Sequence, residues 1–251
     1  MSDHKKRIVI IGATSAIAEH CARLWIKDAR VELTLVGRNP EKTERVAADL
    51  RVRSPHSVIR VLEADFIASL AIQQLVDGIV AEGPVNTVLI AHGSLPDQAV
   101  CQQDLTACHD ALVVNGISPV LFAEAFAGHM QIANLGTLAI IGSVAGERGR
   151  KSNYVYGAAK GLVTRYAQGL QHRLANTGVK VVLIKPGPTD TPMTADFKDQ
   201  GVKLASVESV AQKIVGAIDH GEVVAYVPKK WQFIMWVIRH LPAVIFNKLN
   251  I

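Results

Sequence analysis

IVIIGATSAIAEHCARLW, residues 8–25, decides the fold. Four apolar residues in a row, Ile8, Val9, Ile10 and Ile11, end on Gly12. An unbroken run of that kind suits a strand buried on both faces. Ala13, Thr14, Ser15, Ala16, Ile17 and Ala18, all small but Ile17, then open a segment long enough for a helix. Further short apolar runs lie at 31–36, 58–62, 85–90, 137–141, 179–184 and 223–227, most of them rich in Val, Ile and Leu. Each gap between runs is long enough for a helix. Seven strands alternating with helices predict a parallel sheet covered on both faces. With right-handed crossovers it is doubly wound, a Rossmann-type α/β sheet.

Composition narrows the class. The chain has 251 residues, 49% hydrophobic and 20% charged, which suits one globular domain with a sizeable core. No linker, repeat or low-complexity stretch divides it, so residues 1–228 read as a single domain followed by a basic, aromatic tail at 229–251. The net charge of +5 is spread along the chain except in that tail, so no nucleic-acid partner is expected. Cys21, Cys101 and Cys108 lack C-x-x-C spacing, so neither a metal site nor a disulfide framework is expected. The N-terminus shows no signal-peptide pattern, and a cytoplasmic location is expected.

Candidate cofactor residues fall at the ends of the runs. Small residues after Gly12 let backbone approach a phosphate, and the helix N-terminus behind Thr14, Ser15 and Ile17 supplies free N–H groups. Only one glycine is present, so G-x-G-x-x-G is not matched, and an ordinary tight turn is the alternative. Arg38 follows the second strand, where dinucleotide folds read the adenosine ribose. A guanidinium there favours the 2′-phosphate of NADP(H) over NAD(H). Asp65 could accept from an adenine amino group or cap the next helix. Ala91 and Gly93 are small where backbone lines a cofactor. His92 between them could be a base, but such a histidine is more often structural.

The chemistry gathers between Ser143 and Lys160. Tyr156 and Lys160 are i and i+4 on a helix and share a face. A lysine beside a phenol lowers the phenol's pKa and makes it a usable proton donor. The strand at 137–141 delivers Ser143 to the same sheet edge. Asn115 is a polar amide in an apolar helical stretch and needs a partner. After the sixth strand, Pro186 and Gly187 turn the chain, and Thr189 and Thr191 offer hydroxyls. From Thr191 to about Ala205, the chain reads as a loop or small helices that could close over a substrate.

Taken in order, Gly12, Asp65, Ala91, Gly93, Asn115, Ser143, Tyr156, Lys160, Pro186, Gly187 and Thr191 resemble the short-chain dehydrogenase/reductase family. The resemblance runs from Ile8 to Val227. It implies an NAD(P)-dependent oxidoreductase in which Tyr156 gives a proton to a carbonyl oxygen. Lys160 would lower the tyrosine pKa and bind the nicotinamide ribose, Ser143 orient the carbonyl, and Asn115 hold a relay water. It also implies a homodimer or homotetramer. Three departures stand out: Ile11 replaces the usual threonine, Ala16 and Ala18 replace glycines, and Ala91-His92-Gly93 replaces Asn-Ala-Gly.

The glycine turn and the tail are similar to those of reductases of decaprenylphosphoryl-2-keto-pentose, which act on a lipid-linked sugar. The tail has no acidic residue from Val223 onward and carries Lys229, Lys230, Trp231, Trp236, Arg239 and Lys248. Its apolar stretch is too short to span a bilayer and is broken by Pro242. It suits either the surface of the membrane's inner face or another subunit. The first expectation is therefore an NADPH-dependent reductase of a keto-sugar, polyprenyl-phosphate-linked. The alternatives are a soluble reductase of a small ketone, acyl thioester or steroid-like alcohol, and a catalytically idle NADP-binding regulator.

Overall fold

The structure, a computed structural model, describes residues 5–27, 29–199 and 201–249. All seven apolar runs are strands: β1 Lys6–Ile11, β2 Val31–Gly37, β3 Val58–Glu63, β4 Thr87–Ile90, β5 Gly136–Ile141, β6 Val179–Pro186 and β7 Val224–Val227. They form one parallel sheet in the order β3-β2-β1-β4-β5-β6-β7. Between them lie α1 Ala16–Trp25, α2 Pro40–Arg53, α3 Ser69–Ala81, α4 Gln98–Gln103, α5 Leu105–Leu112, α6 Ser118–Ala133, α7 Tyr154–Leu174, α8 Ala195–Asp199 and α9 Val207–His220. The tail forms α10 Lys230–His240 and α11 Ala243–Phe246.

Period-2 alternation explains why the strands read as continuous apolar runs. Ile8 and Ile10 pack on one face with Leu33, Leu35 and the α1 and α9 residues Ala18, Cys21 and Ile214. Val9 and Ile11 pack on the other with Phe122 and Phe126 of α6 and Val163 of α7. Both faces are covered, so every position needs an apolar side chain. From β1 the chain winds outward to β2 on one side and to β4 on the other. Crevices for ligands form at the carboxyl ends of strands where the winding reverses.

Gly12 sits at that point with φ +85°. A Cβ there would lie 2.6–2.8 Å from the Cβ, N and Cα of His92. The glycine is thus fixed by its contact with the β4 end as well as by its backbone angle.

Leu105–Ala133 is one continuous helix of 29 residues, apolar enough by length and composition to cross a membrane. However, 56% of its apolar 18-residue stretch is buried within the protein. Its middle, Val113–Ile117, is a π-helical turn that carries Asn115. Inserted π turns of this kind cluster at functional sites.

The tail lies on the protein. Met235 of α10 is buried, and Trp231, Ile234 and Ile238 are half-buried beside it. The Trp231 indole packs directly against Gly187, leaving no room for a Cβ there. Arg148 grips the tail's backbone, donating from Nη1 to the carbonyl oxygens of Ile238 (2.5 Å) and Leu241 (2.6 Å). Its guanidinium also lies 3.8 Å from the centre of the Phe246 ring.

Candidate active site

Two strand ends and one helix build the centre. β5 ends at Ile141, and Ser143 follows as the N-cap of a 3₁₀ turn, Val144–Glu147, its Oγ accepting from Ala145 N at 3.1 Å. Tyr156 stands in the first turn of α7, with the Ser143 hydroxyl close enough to act on its pKa. One turn on, the buried Lys160 Nζ donates to the Ile141 carbonyl at 3.0 Å and lies 5.8 Å from the Tyr156 ring centre. Gly146 holds the turn against α7: a Cβ there would come within 2.6–2.8 Å of the backbone at Lys160 and Gly161.

The electrostatics differ from the spacing argument. Burial pushes the Tyr156 phenol above its ordinary range, and the Ser143 hydrogen bond works in the opposite direction. Burial also pushes the Lys160 ammonium down to about 8. Desolvation therefore outweighs the effect of the lysine on the tyrosine. Ser143 rather than Lys160 is the group that counters it.

Asn115 finds its partners locally. Its Oδ1 accepts from Ser94 N at 2.8 Å, and its Nδ2 donates to Ala111 O at 2.9 Å. It thus ties the π turn to the β4 loop, with Gly93 close to both Asn115 Oδ1 and Lys160 Nζ. His92 is structural in this fold. Its Nε2 meets Ser118 Oγ at 2.8 Å, and Phe66 and Phe122 enclose the ring edge-on. Burial first, then the charges of Lys160 and Arg38, push its pKa down to about 3, so it stays neutral.

The remaining candidates frame the crevice. Ser15 is the N-cap of α1 and makes no side-chain cap bond, and Thr14 is exposed beside it. Arg38 is exposed and has no hydrogen bond or ion pair among the described residues. A free helix N-terminus, two unengaged hydroxyl residues and an unpaired guanidinium fit a dinucleotide phosphate. Ile17 packs inward with the β1 face, and Ala91 N donates to Ile11 O at 2.8 Å.

Other candidates are engaged within their own turns. Asp65 Oδ1 accepts from Ile67 N and Ala68 N (2.7 and 3.0 Å), while the N-cap of α3 is Ala68. Those two bonds hold the Asp65 carboxyl below its usual range. Pro186 closes β6, and Gly187 N donates to Val227 O at 2.9 Å. Thr189 Oγ1 donates back to Gly187 O, and Thr191 caps the short turn Pro192–Thr194 with Thr194.

One group lay outside the sequence reading. Glu147 and Lys185 form a buried ion pair at 2.7 Å, with side chains 2% and 5% exposed. Tyr226 donates to the same carboxylate, and Arg239 of α10 lies 3.3 Å from its other oxygen. A lysine inside the apolar strand VVLIKP was the available signal. Its partner is 38 residues earlier, on the turn after Ser143.

The family model for short chain dehydrogenases matches residues 6–201. The chain belongs to the short chain dehydrogenase family. This dehydrogenase/reductase is 32% identical to an oxidoreductase of Mycobacterium tuberculosis over 246 residues, 96% of either chain. It is similar in fold to a short chain dehydrogenase from Burkholderia cenocepacia in complex with NADP, with a TM-score of 0.83, 17% identity and full coverage of both chains. It is also similar to one from Sphingobium yanoikuyae in complex with NADPH, with a TM-score of 0.80, 20% identity and coverage of 98% and 96%. Family membership makes this short chain dehydrogenase/reductase an NAD(P)-dependent oxidoreductase acting on CH–OH/C=O.

Proposed function

We propose that the protein is an NADPH-dependent carbonyl reductase of a keto-sugar, polyprenyl-phosphate-linked, in which Tyr156 is the proton donor. The observation that carries the chemistry is the trio at one sheet edge: Tyr156 with Ser143 acting on its hydroxyl, and buried Lys160 one turn away. When bound, the dihydronicotinamide supplies the hydride. Tyr156, kept protonated by burial, gives its hydroxyl proton to the developing alkoxide. Ser143 Oγ fixes the direction of that hydroxyl and of the carbonyl oxygen. Lys160 holds a positive charge beneath the site and would bind the ribose of the cofactor. Asn115, through the π turn, keeps room for a water that resupplies the proton.

Thr14, Ser15, Ile17 and the Gly12 turn take the pyrophosphate. With the cofactor bound, Asp65 would lie on the adenine side, and Ala91 and Gly93 would line it. Pro186, Gly187, Thr189 and Thr191 form the nicotinamide side. Arg38 supports NADPH over NADH, because its guanidinium is unpaired where a 2′-phosphate would lie. The Arg38→Ala variant is expected to lose about 1.5–3 kcal/mol of NADPH affinity, roughly ten- to a hundredfold, with little change for NADH. Fluorescence titration with both cofactors checks this. Equal losses for both would overturn the assignment.

The tail supports a surface location for residues 229–251 as an element added to the 1–228 reductase domain. Phe233, Trp236, Val244 and Ile245 are 69%, 52%, 73% and 50% exposed. They sit among Lys230, Arg239 and Lys248, and no acid follows Glu222. Exposed aromatics with basic flanks suit an anionic lipid surface. Flotation with phosphatidylglycerol vesicles should carry the native protein and leave the Phe233→Ser/Trp236→Ser variant behind. No binding at low salt, together with a dimer or tetramer that the variant splits, would assign this face to a second subunit.

A further inference from the structure

Four arginines of this chain are half-buried: Arg7, Arg23, Arg148 and Arg150. Arg7 donates to the carbonyls of Gly83 and Ile79 and pairs with Glu32 and Glu82. Arg23 pairs with Glu19 and Asp49. Arg148 holds the tail carbonyls. Arg150 has no hydrogen bond or ion pair from its side chain among the described residues, and its buried Nε is unpartnered. Of the acid three residues earlier, Glu147, Oε1 accepts from Lys185 and Tyr226, and Oε2 lies 3.3 Å from Arg239 Nε without a hydrogen bond. Burial alone pushes the Arg150 pKa down, with no counter-charge to offset it. An Nε withdrawn from water with no acceptor among the described residues is costly, and it suits an anion supplied from outside the chain.

Two more unsatisfied groups sit around the same turn. Gln98 Oε1 accepts from Val155 N at 3.0 Å, which fixes the amide's orientation and leaves its buried Nε2 without an acceptor. Asn153 is the N-cap of α7 but caps no N–H, and its buried Oδ1 has no donor. Backbone bonds link the set: Asn153 N donates to Arg150 O at 3.1 Å, and Gly157 N to Asn153 O at 2.8 Å. Tyr156 lies on that first turn, within the segment that joins it to Ser143. Three side-chain groups at the N-terminal turn of the helix that carries Tyr156 are left open, two donors and one acceptor, and their types match a ligand with an anionic oxygen and a hydroxyl.

We propose that Arg150, with Gln98 and Asn153, binds a phosphate group of the carbonyl substrate and selects substrates that carry one. Arg150 and Gln98 Nε2 donate to the phosphate oxygens, and Asn153 Oδ1 accepts from a neighbouring hydroxyl. The inference rests on the reductase reading for its place beside Tyr156, but its test does not need turnover.

The probes are inorganic phosphate, standing for a free monoester, and dimethyl phosphate, standing for the phosphodiester of a lipid headgroup. Binding is measured by calorimetry on protein saturated with NADP⁺, which removes the cofactor's own phosphate subsites from competition. The native protein is expected to bind one of the two. Arg150→Met should weaken that binding about ten- to a hundredfold, and Arg150→Lys by less. Unchanged NADP⁺ affinity and melting temperature show that each variant is folded. A preference for dimethyl phosphate assigns a lipid-linked substrate, and a preference for inorganic phosphate assigns a free one. If neither binds, or if folded Arg150→Met binds as the native protein does, the inference is overturned. NADPH oxidation with neutral keto-sugars would then still support the reductase reading. Phosphate binding lost in Arg150→Met without any carbonyl reduction would keep the subsite and remove that reading.

Discussion

Tyr156→Phe is expected to lower kcat for ketone reduction by about 10²- to 10⁴-fold while leaving NADPH affinity unchanged. The substitution removes one oxygen from a half-buried side chain, so packing is preserved. What is lost is the proton for the alkoxide and the interaction with Ser143. Stopped-flow monitoring of NADPH oxidation at saturating ketone separates this from a binding effect. A variant that turns over within about tenfold of the native enzyme would mean that the proton comes from elsewhere.

The pH profile of the native enzyme carries the same chemistry. The Tyr156 pKa is raised by burial, so the phenol stays protonated through the working range. Lys160 loses its proton at about 8 as pH rises. The basic limb of kcat/KM is therefore expected there and belongs to the lysine. For stability the sign is the reverse. The folded lysine binds its proton less tightly than the unfolded one, so between about 8 and its ordinary value near 10.4 the fold gains stability as pH rises.

The second large effect lies in Glu147→Ala. Removing one member of a buried pair leaves Lys185 charged and unpaired, which costs about 3–5 kcal/mol. For a chain of this size, that corresponds to a fall in melting temperature of roughly 6–20 °C. Arg239 and Tyr226 lose their shared partner in the same step, so the grip of the tail on the Ser143 turn weakens. Hydrogen exchange at α10 should rise along with the loss of stability. Replacing both members, Glu147→Leu with Lys185→Met, should recover most of the loss, because no charge is then stranded. Less than about 1 kcal/mol lost in Glu147→Ala, with unchanged exchange at α10, would remove the pair from any structural role.

The strands were legible because a parallel sheet covered on both faces demands apolar residues at every position, and 8–11 or 179–184 meet that demand with local information alone. Tyr156 and Lys160 were legible for the same reason, since helical spacing is local. The direction of the tyrosine pKa was not, because burial depends on what packs around α7. The Glu147–Lys185 pair depends on β5 and β6 lying side by side. Arg148 lies in the stretch ERGRK, where nothing local signals that the tail folds back onto its guanidinium. Asn115 announced an unusual position, but the form it takes, a π turn, is one residue of extra winding that no hydrophobic period reports.

That extra winding sets the two parts of helix Leu105–Ala133 out of phase. One additional residue in a helix turns everything beyond it by about 100°. The face that α5 presents to α4 is therefore not continued by the face that α6 presents to the sheet. Aligned with a relative whose corresponding helix is regular, this chain needs a one-residue gap at Val113–Ile117. Without that gap, every position on one side is matched to a neighbour of the residue that fills its place.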